Sequence, residues 1–139
     1  MIQIEKELST AKKASIKSAE LLTGKKTSIN NLISNEGRDV KLQADIESEK
    51  IIKNYLKEFS DLPILAEESG ANEHLGSSFW VVDPLDGTSN YSRDFPICCI
   101  SIALIHENKI TLGVINDFNR NIIYEGSTET PAMMNSKVI

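Results

Sequence analysis

Trp80-Val81-Val82-Asp83-Pro84-Leu85-Asp86-Gly87-Thr88-Ser89-Asn90 is the stretch on which the reading of the chain turns. An apolar run of strand character reaches Asp83, turns at Pro84, offers a second carboxylate at Asp86 and passes through Gly87 into a polar segment that can open a helix. Two carboxylates beside a helix start have a chemical use. Carboxylates bind a hard cation such as Mg2+, and the free N–H groups of a helix start bind the phosphate oxygens that the cation also touches. Taken alone, Asp86 reads better as an ordinary Asp-Gly turn or helix cap than as a ligand. The rest of the chain has to decide.

Upstream, Asp45 precedes a helical pattern whose apolar stripe is Ile52, Tyr55, Leu56 and Phe59. Asp45 is placed as its N-cap, and a carboxylate at a helix mouth can also face a metal. After Asp61 and Pro63, Ile64-Leu65-Ala66 reads as a short strand ending in Glu67-Glu68-Ser69-Gly70. Adjacent acids repel unless water or a cation separates them, so a surface loop and a cation site both stand here. Further upstream, Ile4, Leu8, Ala11, Ser15, Ala19 and Leu22 recur at helical spacing from Ile2 to Leu22, with Gly24 as the stop and Lys25 and Lys26 suited to the helix dipole. Residues 27–44 show no periodicity and read as a mobile connection with a short hairpin through Asn35-Glu36-Gly37-Arg38.

Downstream, Tyr91 to Pro96 reads as a helical turn. Strands follow at Ile97 to Ile105, Ile110 to Asn116 and Ile122 to Tyr124, joined by turns at His106 to Lys109 and Asp117 to Asn121. His74 falls in a polar loop without a second His or Cys at ligand spacing and reads as solvated, and His106 sits at a turn and reads as exposed. Thr130 to Ile139 reads as irregular. The expected class is α+β, with two long helices packed on a largely antiparallel sheet.

A chain of 139 residues is one ordinary domain, and 40% hydrophobic with 25% charged residues is a globular composition. A net charge of -5 leaves no basic field for gripping a nucleic-acid polymer. Cys98 and Cys99 are neighbours on a strand, point to opposite faces and should stay free thiols, structural rather than catalytic. With no secretory segment and no run long enough to span a bilayer, they suggest a reducing, cytoplasmic setting and no membrane partner.

The order Asp45, then Glu67-Glu68-Ser69, then Trp80 to Tyr91, then Phe95-Pro96 resembles the inositol monophosphatase family of Mg2+-dependent, lithium-sensitive phosphatases. That superfamily also holds fructose-1,6-bisphosphatases and phosphoadenosine phosphate phosphatases. Gly37-Arg38-Asp39-Val40 leading to Ala44-Asp45, and Ala132 to Ser136, add support. The resemblance implies the N-terminal layers of a layered αβαβα sugar-phosphatase fold. It implies that Glu67, Asp83 and the carbonyl of Leu85 hold a first Mg2+, and that Asp83 and Asp86 share a second. Asp45 would help hold a third ion through water. Gly87 and Thr88 would give backbone N–H groups to the phosphate, Thr88 and Glu67 would orient the attacking water, and Glu68 would support them. Such an enzyme hydrolyses a small phosphate monoester by metal-activated water, without a covalent intermediate. Leu85 would be free to vary, since only its carbonyl is used.

Family members continue past the turn that Ala132 to Ser136 resembles, and their second half supplies a further Asp ligand and most contacts to the alcohol of the substrate. Residues 1–139 are therefore expected to be a single N-terminal metal-binding domain, the C-terminal half absent, weakly active or inactive alone and prone to self-association or dimer formation. The alternative is a non-catalytic metal- and phosphate-binding module acting through a partner.

Overall fold

The computed structural model describes residues 1–24, 32–36 and 39–139. Two long helices, α1 (Ile4–Gly24) and α2 (Gln43–Phe59), lie against each other and against one face of a sheet. The sheet has eight strands: β3 (Ile64–Ala66), β4 (Gly70–Ala71), β5 (Phe79–Asp86), β6 (Cys99–His106), β7 (Lys109–Asp117), β8 (Ile122–Ser127), β9 (Met133–Met134) and β10 (Lys137–Val138). Their order is β10-β9-β8-β7-β6-β5-β3-β4, antiparallel throughout except for the β3–β5 pair. The α+β class with helices on a largely antiparallel sheet is thus the observed one. A separate hairpin pairs β1 (Leu32–Glu36) with β2 (Asp39–Leu42), as expected around Asn35 and Glu36. The expectations for Lys25, Lys26, Gly37, Arg38 and a mobile connection fall wholly or partly outside the described residues.

Alternation builds the core. On β5, Trp80 and Val82 are buried between half-buried Phe79, Val81 and Asp83; on β6, Ile100, Ile102 and Leu104 are buried between half-buried Ser101, Ala103 and Ile105. The buried set meets Leu8, Ala11, Ala14, Ile52 and Leu56 from the helices. Ala11, Ala14, Ser15 and Ser18 are small, which lets α1 approach closely, and Lys12 bonds Glu125 of β8 at 2.7 Å. Among the described residues no helix is long and apolar enough to cross a membrane.

The structure moves several sequence-derived boundaries. Among the described residues α1 ends on Gly24, two residues past Leu22, and the Tyr91 hydroxyl donates to the carbonyl of Leu22 at 2.7 Å, satisfying one acceptor of the last turn. Phe59 is 43% exposed, leaving Ile52 and Leu56 as the buried stripe of α2. His106 is half-buried, its Nδ1 2.9 Å from the Ser78 hydroxyl. Cys98 is buried just before β6 and Cys99 is half-buried at its start; both are thiols outside any disulfide. Thr130 to Ile139 is not irregular: β9 and β10 form a hairpin around Asn135 and Ser136, both left-handed (φ 46° and 66°). That backbone is a type I′ turn signature, with Ser136 where Asn-Gly would have announced it.

Candidate metal centre

The strand carrying Asp83 does not stop there. β5 runs to Asp86, but its register with β6 shifts: Asp83 pairs Ser101 and Asp86 pairs Cys99. Two residues, Pro84 and Leu85, therefore stand opposite the single Ile100, which is a β-bulge. Proline, having no N–H to give the ladder, is suited to that position. The bulge sets the side-chain geometry. Residues three apart on a regular strand point to opposite faces, but Ser101 and Cys99 are two apart, so their partners Asp83 and Asp86 share a face. Pro84 and Leu85 are both buried, and Asp86 emerges exposed. Leu85 is 1% exposed, so its side chain is a core position and not free to vary as the sequence suggested.

Gly87 follows at φ 90°, and α3 (Thr88–Ser92) begins directly after it. A Cβ on Gly87 would stand 2.8 Å from the carbonyl oxygen of Ile97. The same carbonyl accepts the Asn90 amide at 2.7 Å, which closes the turn. Thr88 points back into the site, its Oγ1 2.8 Å from Asp45 Oδ1 and 3.1 Å from the carbonyl oxygen of Leu85.

Asp45 is not the N-cap of α2. Leu42 holds the cap position, and Asp45, three residues on, accepts the Leu42 N–H through Oδ2 at 2.7 Å. This is the reciprocal half of a capping box, built without a Ser or Thr at the cap. Both Asp45 oxygens accept protein hydrogens, and the residue is wholly buried. Burial raises Asp45 to about 6, against the opposing hydrogen bonds from Leu42 and Thr88.

Glu67 directly follows β3, its N–H donating to the carbonyl of Val82 at 3.0 Å. Loss of hydration, then a hydrogen bond to Asp83 and the charges of Asp83, Glu68 and Asp45, push Glu67 up to about 8, although the residue as a whole is exposed. Burial also raises Asp83, whose hydrogen bond with Glu67 opposes the rise and whose neighbour Asp86 adds to it. The two carboxylates share a proton when no cation separates them. Among the described residues no three acidic, histidine or cysteine side chains converge as a ready-made cage. An all-oxygen donor set of carboxylates and a carbonyl, mutually repelling and partly protonated, fits a hard divalent ion and would tighten around one.

Two positioning contacts were not read from the sequence. Glu49 is buried and accepts the N–H groups of Glu68 (2.9 Å) and Ser69 (3.3 Å), tying the acidic loop to α2. Ser48 donates to the carbonyl of Pro84 at 2.7 Å. Their spacing from Asp45, three and four residues along one helix face, was the available signal. Beside Asp86 and Gly87 opens a cleft of about 340 Å³ lined by Asn90, Ile97, Cys99, Asp117, Arg120 and Tyr124. Burial, with the Asp86, Asp83 and Asp117 charges, raises the Cys99 thiol to about 11, so it is no nucleophile. His74 is exposed in its loop.

The family model for the inositol monophosphatase family matches residues 3–139. The chain belongs to the inositol monophosphatase family. Among similar proteins, "Nus factor SuhB" of Xylella fastidiosa is 39% identical over 78% of this chain and 40% of its own length. "Inositol-1-monophosphatase" of Synechocystis is 36% identical over 77% of this chain and 39% of its own. The structure of the extragenic suppressor protein suhB from Bartonella henselae superposes with a TM-score of 0.85 at 30% identity, over 94% of this chain and 52% of that one. The chain thus spans between two fifths and about half of these relatives.

Proposed function

We propose that this chain is the metal-binding half of a Mg2+-dependent phosphomonoesterase acting on a small phosphorylated metabolite, an inositol monophosphate or a related sugar or nucleotide phosphate. The observation that carries the reading is the bulge at Pro84 and Leu85, which puts Asp83 and Asp86 on one face beside Glu67 and directly before Gly87 and Thr88. Glu67, Asp83, Asp86 and the Leu85 carbonyl would hold Mg2+. Bound there, Mg2+ supplies positive charge for the phosphate oxygens and acidity to a coordinated water.

The chain's own residues do the rest. Thr88 carries one hydroxyl proton, and charged Asp45 at 2.8 Å is its better acceptor, so a lone pair of Oγ1 is left to take a hydrogen from the attacking water. Glu67, freed of its proton once Asp83 is neutralised, accepts the other. The first N–H groups of α3, at Thr88 and its neighbours, have no partner within the helix and face the phosphate with Gly87. Water adds to phosphorus as the ester oxygen leaves with a proton, giving alcohol and inorganic phosphate. Asp45 serves here as the acceptor that orients Thr88, since both its oxygens are already engaged. Glu68 supports the acidic loop.

Calorimetric titration of the purified chain with Mg2+, then with inorganic phosphate, tests the reading. Binding of both is expected, with Mg2+ binding lost in Asp83→Asn; a variant that binds Mg2+ as the parent does refutes it. The resemblance places a further Asp ligand in the part of the family this chain does not span, so turnover by the 139 residues alone is expected to be weak or nil. Robust Mg2+-dependent phosphate release would overturn that point. The Nus-factor name of one relative favours a second reading, a metal- and phosphate-binding module that works through a partner. Joining this chain to the second half of one of these relatives separates the two. Phosphate release by the chimera supports the enzyme, and binding without turnover supports the module.

A further inference from the structure

Ser18 of α1 and Ser48 of α2 are both wholly buried, and their hydroxyls are hydrogen-bonded to each other. Ser48 Oγ also lies 2.7 Å from the carbonyl oxygen of Pro84. A carbonyl can only accept, and a hydroxyl has one proton to give. Ser48 therefore donates to Pro84 and accepts from Ser18, and the three groups form one directed chain from α1 through α2 into the bulge.

The bulge is where such a chain has leverage. Proline has no N–H, so the carbonyl is the only backbone group by which Pro84 can be tied. The peptide joining Pro84 to Leu85 is planar and trans, so its carbonyl and its N–H point in opposite directions. Turning the carbonyl toward α2 aims the Leu85 N–H the other way, where it donates to Asp83 Oδ1 at 3.2 Å. The Ser48 hydroxyl thereby fixes the carboxylate that the metal centre needs most.

We propose that Ser48 is a positioning residue for the metal-bearing turn, with Ser18 setting the direction of its hydroxyl. The bland account is that two buried serines satisfy each other and no more. The assignment rests on the metal reading above only for its Mg2+ readout.

The test compares Ser48→Ala, Ser48→Thr and a packing control, Ile52→Val, in the full chain, by Mg2+ calorimetry and by amide hydrogen exchange at Leu85 in metal-free protein. Ser48→Ala is expected to weaken Mg2+ binding about tenfold, as loss of an outer-shell partner does, and to speed Leu85 exchange. Ser48→Thr should restore both, and Ile52→Val should lower the melting temperature while moving neither. Unchanged Leu85 exchange in Ser48→Ala overturns the proposal, as does a matching effect of Ile52→Val. Should the parent bind no Mg2+, the functional reading fails and Leu85 exchange alone decides the positioning role. Should Ser48→Ala not fold, Ser18→Ala must speed Leu85 exchange, and unchanged exchange in that variant overturns the assignment.

Discussion

Gly87 makes the sharpest backbone demand in the site. Its φ of 90° is left-handed, and a Cβ would meet the Ile97 carbonyl at 2.8 Å and Cys98 Cβ at 3.1 Å. A non-glycine residue in that region costs about 1–2 kcal/mol, and here backbone contact adds to it. Gly87→Ala is therefore expected to lower stability by about 2 kcal/mol or more in denaturant melts; an unchanged midpoint would refute the clash. The acids act through charge instead. Asp45 (about 6) and Glu67 (about 8) have folded-state values above those of an unfolded chain, so the folded protein holds extra protons between. Their contribution to stability is complete below the unfolded carboxylate range and is lost as pH rises through 6 to 8. In a chelator, the melting temperature should fall from pH 5 to pH 9, and the fall should be shallower in Asp83→Asn, which removes a repelling partner. A flat profile in the parent would count against the proton shared by Glu67 and Asp83.

At the scale of elements, α2 is the frame of the site. Asp45, Ser48 and Glu49 stand on one face and reach three different segments: Thr88, the Pro84 carbonyl, and the N–H groups of Glu68 and Ser69. Removing Glu49 leaves those two N–H groups without their carboxylate. Glu49→Ala is expected to cost about 1–3 kcal/mol and to loosen the acidic loop, read as faster amide exchange at Glu68 and Ser69. Equal exchange in parent and variant would exclude that role. This face also marks where the sequence was hard to read. Polar residues on a helix ordinarily meet water, so the spacing of Ser48 and Glu49 from Asp45 reads more readily as a solvated face than as burial against loops distant in sequence. Trp80 to Thr88 was legible as chemistry because acids, Pro and Gly each constrain the backbone locally. That Asp83 and Asp86 share a face was not legible, since it depends on pairing with Ser101 and Cys99 across the sheet. The β9–β10 hairpin was missed for a related reason, its left-handed turn being carried by Asn135 and Ser136 without a glycine.

At the scale of the whole molecule, the helices cover one face of the sheet. The other face bears a groove lined by Ser101, Ala103, Gly113, Ile115, Tyr124 and Ile139, with Ile115 45% and Ile139 67% exposed. Apolar surface of this kind favours association. We expect the isolated chain to self-associate at high concentration in sedimentation, and a persistent monomer would refute that expectation. Fold class, helix stripes and the meander were legible because each rests on periodicity along the chain. What the open face meets was not, since that depends on groups beyond these strands.

The bulge at Pro84 and Leu85 has a last consequence, for how such a chain can change its length. Substitution there alters packing, but losing one of the two residues restores the regular alternation of β5. Asp83 and Asp86 would then stand two apart on a regular strand and still share a face, but the extra bend and twist that the bulge gives the strand end before Gly87 would be lost. What the extra residue supplies is therefore the bend that delivers the chain to Gly87 and Thr88, so a one-residue deletion would be felt in the direction of that turn and not in which face the acids occupy.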